Sequence, residues 1–291
     1  MRYAAVKRCQ HEFPVTRLCA VLKVSVSGYY AWLKRVPGQR EAANQQLQQH
    51  IQGIWQRVHG IYGAPRIHAE LQAAGLRAGH NRVARLMRLA GLRGKTVRRR
   101  RPLTSQSDPA AAVAPNRLAR QFRVGRPNQV WLTDITYIET GEGFLYLAAV
   151  LDLGSRQIVG MATADHLHTE LVEAALEMAL IQRRPGAGLL HHSDRGSQYT
   201  SQTYRRRLSQ RGMTLSMSRV GECRDNAPME SFWATLKREC ADAPFVSRAA
   251  ARSQLFAYVM GFYNRQRRHS ALGYLSPVTF EQQFRETLTL H

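Results

Sequence analysis

The chain has 291 residues, 44% hydrophobic and 21% charged, with 42 Lys and Arg against 20 Asp and Glu, a net charge of +22. This length supports a sizeable core and about two domains. No run of eighteen apolar residues exists to span a membrane, and the start MRYAAVKRCQHEF lacks the apolar core of a secretory signal, so a cytoplasmic protein is expected.

The charge is unevenly spread. Residues 1–125 hold 23 basic and 4 acidic side chains, whereas residues 126–291 hold 19 and 16. The front of the chain is therefore suited to a polyanion, and its excess of Arg over Lys suits forked phosphate contacts. Four cysteines, Cys9, Cys19, Cys223 and Cys240, form no C-x-x-C pair, which argues against a zinc finger and against an extracellular disulfide framework.

In chain order, residues 3–10 read as a short helix. PVTRLCAVL, residues 14–22, places Val15, Leu18, Cys19 and Leu22 at helical spacing, and SGYYAWLKR follows with Ser25 or Ser27 as a cap. Residues 1–36 thus read as a helix-turn-helix-like segment. Beyond Pro37-Gly38 a Gln-rich helix is expected over residues 40–58, then a helical hairpin over 62–94. The hairpin carries one apolar stripe of Ile67, Leu71 and Ala74 and a second of Val83, Leu86, Met87 and Ala90. Arg82, Arg85 and Arg88 decorate its second helix with no acid nearby, which favours phosphate contact, so 40–95 reads as a second helical DNA-binding segment. The run RGKTVRRRR adds Arg98, Arg99, Arg100 and Arg101, and a Pro- and Ala-rich stretch completes a linker over 96–125.

From residue 126 the texture changes. Strands are expected at 130–139, 144–153 and 156–163, then a helix at 169–184, a strand at 189–194, a helix at 201–212, a strand at 214–218, and helices at 228–240 and 248–264. That order describes a mixed α/β sheet with helices on its faces.

Three acids stand out. Asp134 interrupts an apolar strand, where a carboxylate is costly unless paired or bound to metal. Asp194 ends another strand, the location at which sites form in open α/β sheets. Glu230 opens a helix after Pro228 and shares a face with Trp233, Ala234 and Lys237. Three carboxylates at a sheet edge suit Mg2+, and two such ions about 3.5–4 Å apart serve phosphoryl chemistry. Asp152, Glu222 and Asp225 are rival carboxylates, with Asp225 better suited to the turn or helix start. His191 and His192 are adjacent on a strand and point to opposite faces, so they do not share one ion. His192 and Asn226 are expected to support the acids from behind. No G-x-x-x-x-G-K-[ST] occurs, so no nucleotide cofactor is expected.

At WLTDITYI, YLAAVLDLGSRQIVG, HHSDRGSQYTS, SMSRVGECRDNAPMESFWATLKRE and YNRQRRHSALGYLSP, in that order, the chain resembles the DDE-type bacterial insertion-sequence transposases. More narrowly, it resembles the second-frame catalytic product of the group made from two overlapping reading frames. Between Asp194 and Glu230 lie 35 residues, the spacing that names the D,D(35)E class, and Lys237 stands seven beyond the Glu. The resemblance implies a ribonuclease H-like, integrase-type catalytic core over 126–291 with a C-terminal helical extension. It implies Mg2+ or Mn2+ held by Asp134, Asp194 and Glu230, and Lys237 as a DNA contact. The implied chemistry is cleavage of transposon-end phosphodiesters and transfer of the 3′-OH into target DNA. The His-His-Cys-Cys zinc module of the related retroviral integrases has no counterpart here. Neither do the family's upstream helix-turn-helix and leucine zipper, so a first-frame partner or fusion is expected, along with a homo-oligomer on DNA at the nucleoid. Arg265, Arg267 and Arg268 are further candidate DNA contacts. The alternatives are a nuclease of the same fold without strand transfer and a catalytically silent DNA-binding regulator.

Overall fold

A computed structural model describes residues 2–34, 38–96, 113–219 and 221–289. These residues form two compact units: Met1–Gly60 with Glu70–Arg93, and Ile61–Ala69 with Gly94–His291. Arg98, Arg99, Arg100 and Arg101 lie outside the described residues.

The first unit is helical. α1 (Arg2–Cys9), α2 (Val15–Val21) and α3 (Val26–Leu33) close around Val6, Cys19 and Tyr29, with Tyr3, Leu18 and Trp32 packed against them. Ser25 caps α3 by accepting from the Gly28 amide at 3.0 Å, one of the two caps expected from the sequence. The turn before it passes through Lys23 at φ 52°. α4 (Gln39–Arg57) buries Leu47, Ile51 and Ile54, and α6 (His80–Leu89) buries Val83, Leu86 and Met87. The apolar stripe expected on α5 (Ala64–Ala73) is shorter than the spacing promised, since Ile67 and Leu71 are buried but Ala74 is exposed. Gly75, at φ 75°, ends that helix just after Ala74 and turns the chain outward.

The second unit is built on a five-stranded sheet in the order β3-β2-β1-β4-β5. β1 (Val130–Thr140), β2 (Gly143–Asp152) and β3 (Ile158–Ala164) form an antiparallel meander, while β4 (Leu190–Ser193) and β5 (Thr214–Met217) join in parallel. The alternation expected of strands divides the side chains between two cores. On one face, Leu132, Ile138, Leu145, Leu147 and Leu151 meet Met229, Phe232, Trp233 and Leu236 of α10 (Ala227–Glu239). On the other, Trp131, Ala148, Val150 and Val159 meet α7 (Thr169–Arg183), with Tyr199 of α8 (Ser197–Thr200) and Tyr204 and Leu208 of α9 (Gln202–Gln210). α7 lies so close to β3 that a Cβ on Gly160 would collide with the Ala175 carbonyl and the Ala179 methyl.

The long helix expected over 248–264 is in fact two pieces. α11 (Arg248–Phe256) passes into a π-helical stretch, Ala257–Tyr263. The wider turn ends at Asn264, whose side chain accepts from Ile158 N and donates to Ile158 O, both at 2.9 Å. These bonds serve the strand where the β2–β3 register shifts between Val150 and Leu151. α12 (Pro277–Thr289), which the sequence reading did not place, is pinned by Glu281 against Arg183.

A buried ionic cluster holds the end of α10. Glu239 accepts from Arg267 Nε and Nη2, each at 2.7 Å, and from Tyr258 Oη and Arg238 Nη2, each at 2.8 Å. Burial alone raises its pKa, but the Arg267 guanidinium outweighs that and holds the carboxyl below its usual range. Arg267, expected on the sequence as a DNA contact, is buried in this cluster and serves the fold instead. Replacing Glu239 by Ala should cost about 3–5 kcal/mol in denaturant unfolding, because it leaves a buried guanidinium without its partner.

Candidate active site

The site is a consequence of strand register. β1 and β4 are parallel, with Val130 beside Leu190, Trp131 beside His191 and Leu132 beside His192. Two residues further along each strand stand Asp134 and Asp194. Parallel neighbours lie about 4.8 Å apart, so the register that pairs β1 with β4 brings the two carboxylates near each other. Their proximity has an electrical signature. Asp134 is pushed up to about 7, chiefly by burial and then by the negative charge of Asp194, with Glu230 as a weaker contributor.

Other groups hold Asp134 in place. Trp233 donates its indole N–H to Oδ2 at 2.9 Å, and Ile135 N donates to Oδ1 at 2.9 Å. Both bonds pull its pKa down against the larger raising effects. Asn226 donates to the carbonyl of Thr133, the residue before Asp134, at 3.1 Å, while its buried Oδ1 has no donor among the described residues. On the opposite face the Thr133 hydroxyl lies 3.2 Å from Tyr199 Oη. Asp194 turns its own loop, with Oδ1 accepting from Gly196 N at 2.9 Å, and Arg195 Nε donates to Ser218 O at 2.7 Å.

Glu230 lies in the first turn of α10, after Pro228, and is exposed. Pro suits that entry, and a carboxylate there faces the positive end of the helix dipole. The shared face expected of Glu230, Trp233, Ala234 and Lys237 divides in the structure. Glu230 and Ala234 are exposed, Trp233 is buried against the sheet, and Lys237 sits over the ring of Tyr137, 4.3 Å from its centroid. Among the described residues no three His, Cys, Asp or Glu side chains gather tightly enough to cage a metal. The donor set nonetheless fits a hard divalent ion. Mg2+ takes one or two carboxylates and leaves its other positions to water and phosphate, and Asp134 with Asp194 supplies such a pair.

The remaining candidates separate cleanly. His192 is buried, with Nδ1 2.8 Å from Ser216 Oγ and Nε2 3.1 Å from Ser218 Oγ, and burial drives it down to about 4. Its bonds go to β5 and the residue beyond it, not to the acids it was expected to support. His191 bonds Tyr204 Oη at 3.0 Å on the other face, as two adjacent strand residues should. Asp225 is buried and accepts from Asn116 Nδ2, Arg120 Nε and Arg219 N, Nε and Nη2, which hold its carboxyl far below the usual range. Asp152 accepts from the amides of Asn128, Gly154 and Ser155 and so organises the β2–β3 turn. Arg82 is tied to Asn44 Oδ1 at 2.8 Å, whereas Arg85 and Arg88 are exposed. Arg268 is half-buried, its Nη1 donating to Tyr274 O at 2.9 Å and its backbone amide to Tyr62 Oη at 2.9 Å. That bond ties the side chain to the C-terminal turn.

Sequence reasoning gave no role to Trp233 or Tyr137. The signal for Trp233 was its place one turn after Glu230 on a helix that must cover the strand carrying Asp134. Because the folded state raises the pKa of Asp134, it binds more protons than the unfolded chain between about pH 4 and pH 7, and stability falls as pH rises through that window. In metal-free buffer at pH 8, Asp134→Asn should therefore melt above the parent protein, by roughly 5 °C. The gap should shrink as the pH falls towards 4, as scanning calorimetry would report.

Two integrase core domain models match residues 125–223 and 211–277, and an HTH-like domain model matches residues 41–101. The chain is 44% identical over 270 residues to an insertion element IS600 uncharacterized 31 kDa protein of Shigella sonnei, covering 92% of this chain and 99% of that protein. It is 39% identical over 288 residues to the transposase InsF for insertion sequence IS3A of Escherichia coli strain K12, covering 97% and 99%. Among solved structures, the catalytic core domain of BIV integrase aligns with 56% of this chain and 99% of its own, at 19% identity and a TM-score of 0.40. With relatives this similar over nearly its whole length, the chain belongs to the insertion-sequence transposases, its paired acids carried on an integrase core domain.

Proposed function

We propose that this transposase cuts the phosphodiesters at the ends of its element and joins the freed 3′-OH to target DNA, with Asp134, Asp194 and Glu230 as its catalytic acids. The observation that carries the proposal is the enforced nearness of Asp134 and Asp194. Burial raises the pKa of Asp134 most and the charge of Asp194 adds to it, and a carboxylate held in such a setting beside another is suited to a cation that relieves both. The three acids would hold divalent metal, Mg2+ by preference, and the bound metal would neutralise charge on the phosphate and polarise the bond under attack.

The chain's own groups supply positioning. Trp233 and Ile135 N fix the direction of the Asp134 carboxylate, and Asn226 fixes the backbone behind it. Glu230, exposed at a helix start, is the acid best placed to meet a substrate that arrives from outside. In the first step water attacks the phosphorus and the 3′ oxygen leaves as a 3′-OH, the phosphate staying on the other fragment as a 5′-phosphate; in the second that hydroxyl attacks a target phosphodiester and displaces its 3′ oxygen. The joining step exchanges one phosphodiester for another, so no nucleotide is consumed, and alignment of attacking and leaving oxygens accounts for much of the rate. Duplex binding is assigned to the basic front half, where Arg85 and Arg88 stand exposed on α6 and Arg98, Arg99, Arg100 and Arg101 follow in the linker. Residues 1–36 are assigned a separate helix-turn-helix role. A homo-oligomer, working at the nucleoid with a first-frame partner or as a fusion, would bring two ends to one target.

Asp194→Asn and Glu230→Gln should each lose end cleavage and strand transfer of pre-cut ends by at least about a thousandfold, yet retain duplex binding in a gel-shift assay. Strand transfer at the parental rate in either variant would remove that acid from the mechanism. Cleavage without transfer of pre-cut ends by the parent would reduce the activity to that of a nuclease. Arg85→Ala with Arg88→Ala should weaken duplex binding across sequences and flatten the plot of log affinity against log salt by about two.

A further inference from the structure

The mechanism leaves unused one contact between the elements that carry two of the acids. Lys237 lies over the ring of Tyr137 at 4.3 Å. Tyr137 stands three residues after Asp134 on β1, and Lys237 seven residues after Glu230 on α10. The contact therefore joins the two elements that carry the first and third acids.

Several features make it a defined seat rather than a passing touch. Tyr137 is itself held edge-on by Phe144, with ring centroids 5.1 Å apart and planes at 63°. Those two residues sit diagonally across the β1–β2 ladder, where Tyr137 pairs with Tyr146 and Glu139 with Phe144. Tyr137 and Lys237 line one small cleft together with Ile138, Glu139, Ala241 and Ala243. β4 pairs with residues 130–132 of β1, and Phe245 bridges Thr140 further along, so Tyr137 stands between those two pairings. A lysine stem has four rotatable carbons and loses much freedom when it is fixed. The negative face of an aromatic ring offsets part of that loss by attracting the ammonium.

We propose that Tyr137 is a positioning residue: its ring pre-sets the Lys237 ammonium, so that the lysine meets the DNA backbone already ordered. This rests on the reading that Lys237 contacts DNA. Tyr137 acts through Lys237, and its own contribution to binding disappears when the lysine is absent.

The test is a double-mutant cycle on the full chain, with the affinity for a duplex bearing the element's end as the readout. Lys237→Met should weaken binding. Tyr137→Ile, which keeps a good strand residue, should weaken it by about three- to tenfold, while Tyr137→Phe should bind like the parent. In the Lys237→Met background Tyr137→Ile should add nothing. A full Tyr137→Ile penalty in that background would overturn the proposal, since the ring would then act on its own. If Lys237→Met itself binds like the parent, the reading of Lys237 falls and the proposal with it. Phe and its difluoro and trifluoro analogues at position 137 keep the shape of the ring while draining its face of charge, so they also decide the matter should Tyr137→Ile fail to fold. Affinity falling stepwise with fluorine count supports the cation seat, and equal affinity across the series overturns it.

Discussion

The parallel pairing of β1 with β4 is the constraint on which the site depends. Trp131 and Leu132 on one strand are set beside His191 and His192 on the other, all four buried. The hydrophobic gain is spread along the strands, whereas its cost is concentrated at their ends, where two carboxylates are brought together. A one-residue slip would turn Asp134 to the opposite face and bury it among the residues that pack on α7. The apolar pattern on β1 forbids that slip, so the position of Asp134 is enforced by residues with no chemistry of their own.

Around this pair the molecule separates its charges by use. Acids that serve the fold are saturated: Glu239 by Arg267, Arg238 and Tyr258, Asp152 by backbone amides, and Glu281 by Arg183. The bonds to Asp134 come from groups without formal charge, an indole and an amide. A neutral donor orients a carboxylate but leaves its charge in place, which is the condition under which it still attracts a cation. The arginines divide in the same way, with Arg267 and Arg183 spent inside and Arg85 and Arg88 left at the surface.

Much of this was legible in the sequence. The strand and helix order of the second unit followed from alternation and helical spacing, and Asp134 was conspicuous as a charge inside an apolar strand. Asp194 and Glu230 were visible through their spacing and their places at a strand end and a helix start. What escaped was whatever depends on distant partners. Arg267 and Arg268 look alike in NRQRRHS, yet one is buried on Glu239 and the other bonds Tyr274 O, because only the folded chain brings those groups near. His192 looked like support for Asp194 by adjacency, but the strand points its ring to the serines of and beyond β5. The π-helical turn at 257–263 has no periodic signature, since it answers to the geometry of Ile158 about a hundred residues away. Trp233 was seen as part of a helix face, but its bond to Asp134 crosses from helix to strand and leaves no local trace.

The treatment of Asp225 has a consequence for which acids can take part in the chemistry. It lies five residues before Glu230, where the sequence suits it to the turn or the helix start. Two guanidiniums, from Arg120 and Arg219, and an amide from Asn116 occupy its oxygens. A carboxylate so enclosed has no lone pair left to offer and carries no net attraction for a second cation. The number of ligands a metal finds at this sheet edge is thus set by arginines that withdraw one acid from competition, and part of the identity of the site is written in residues that never touch what it binds.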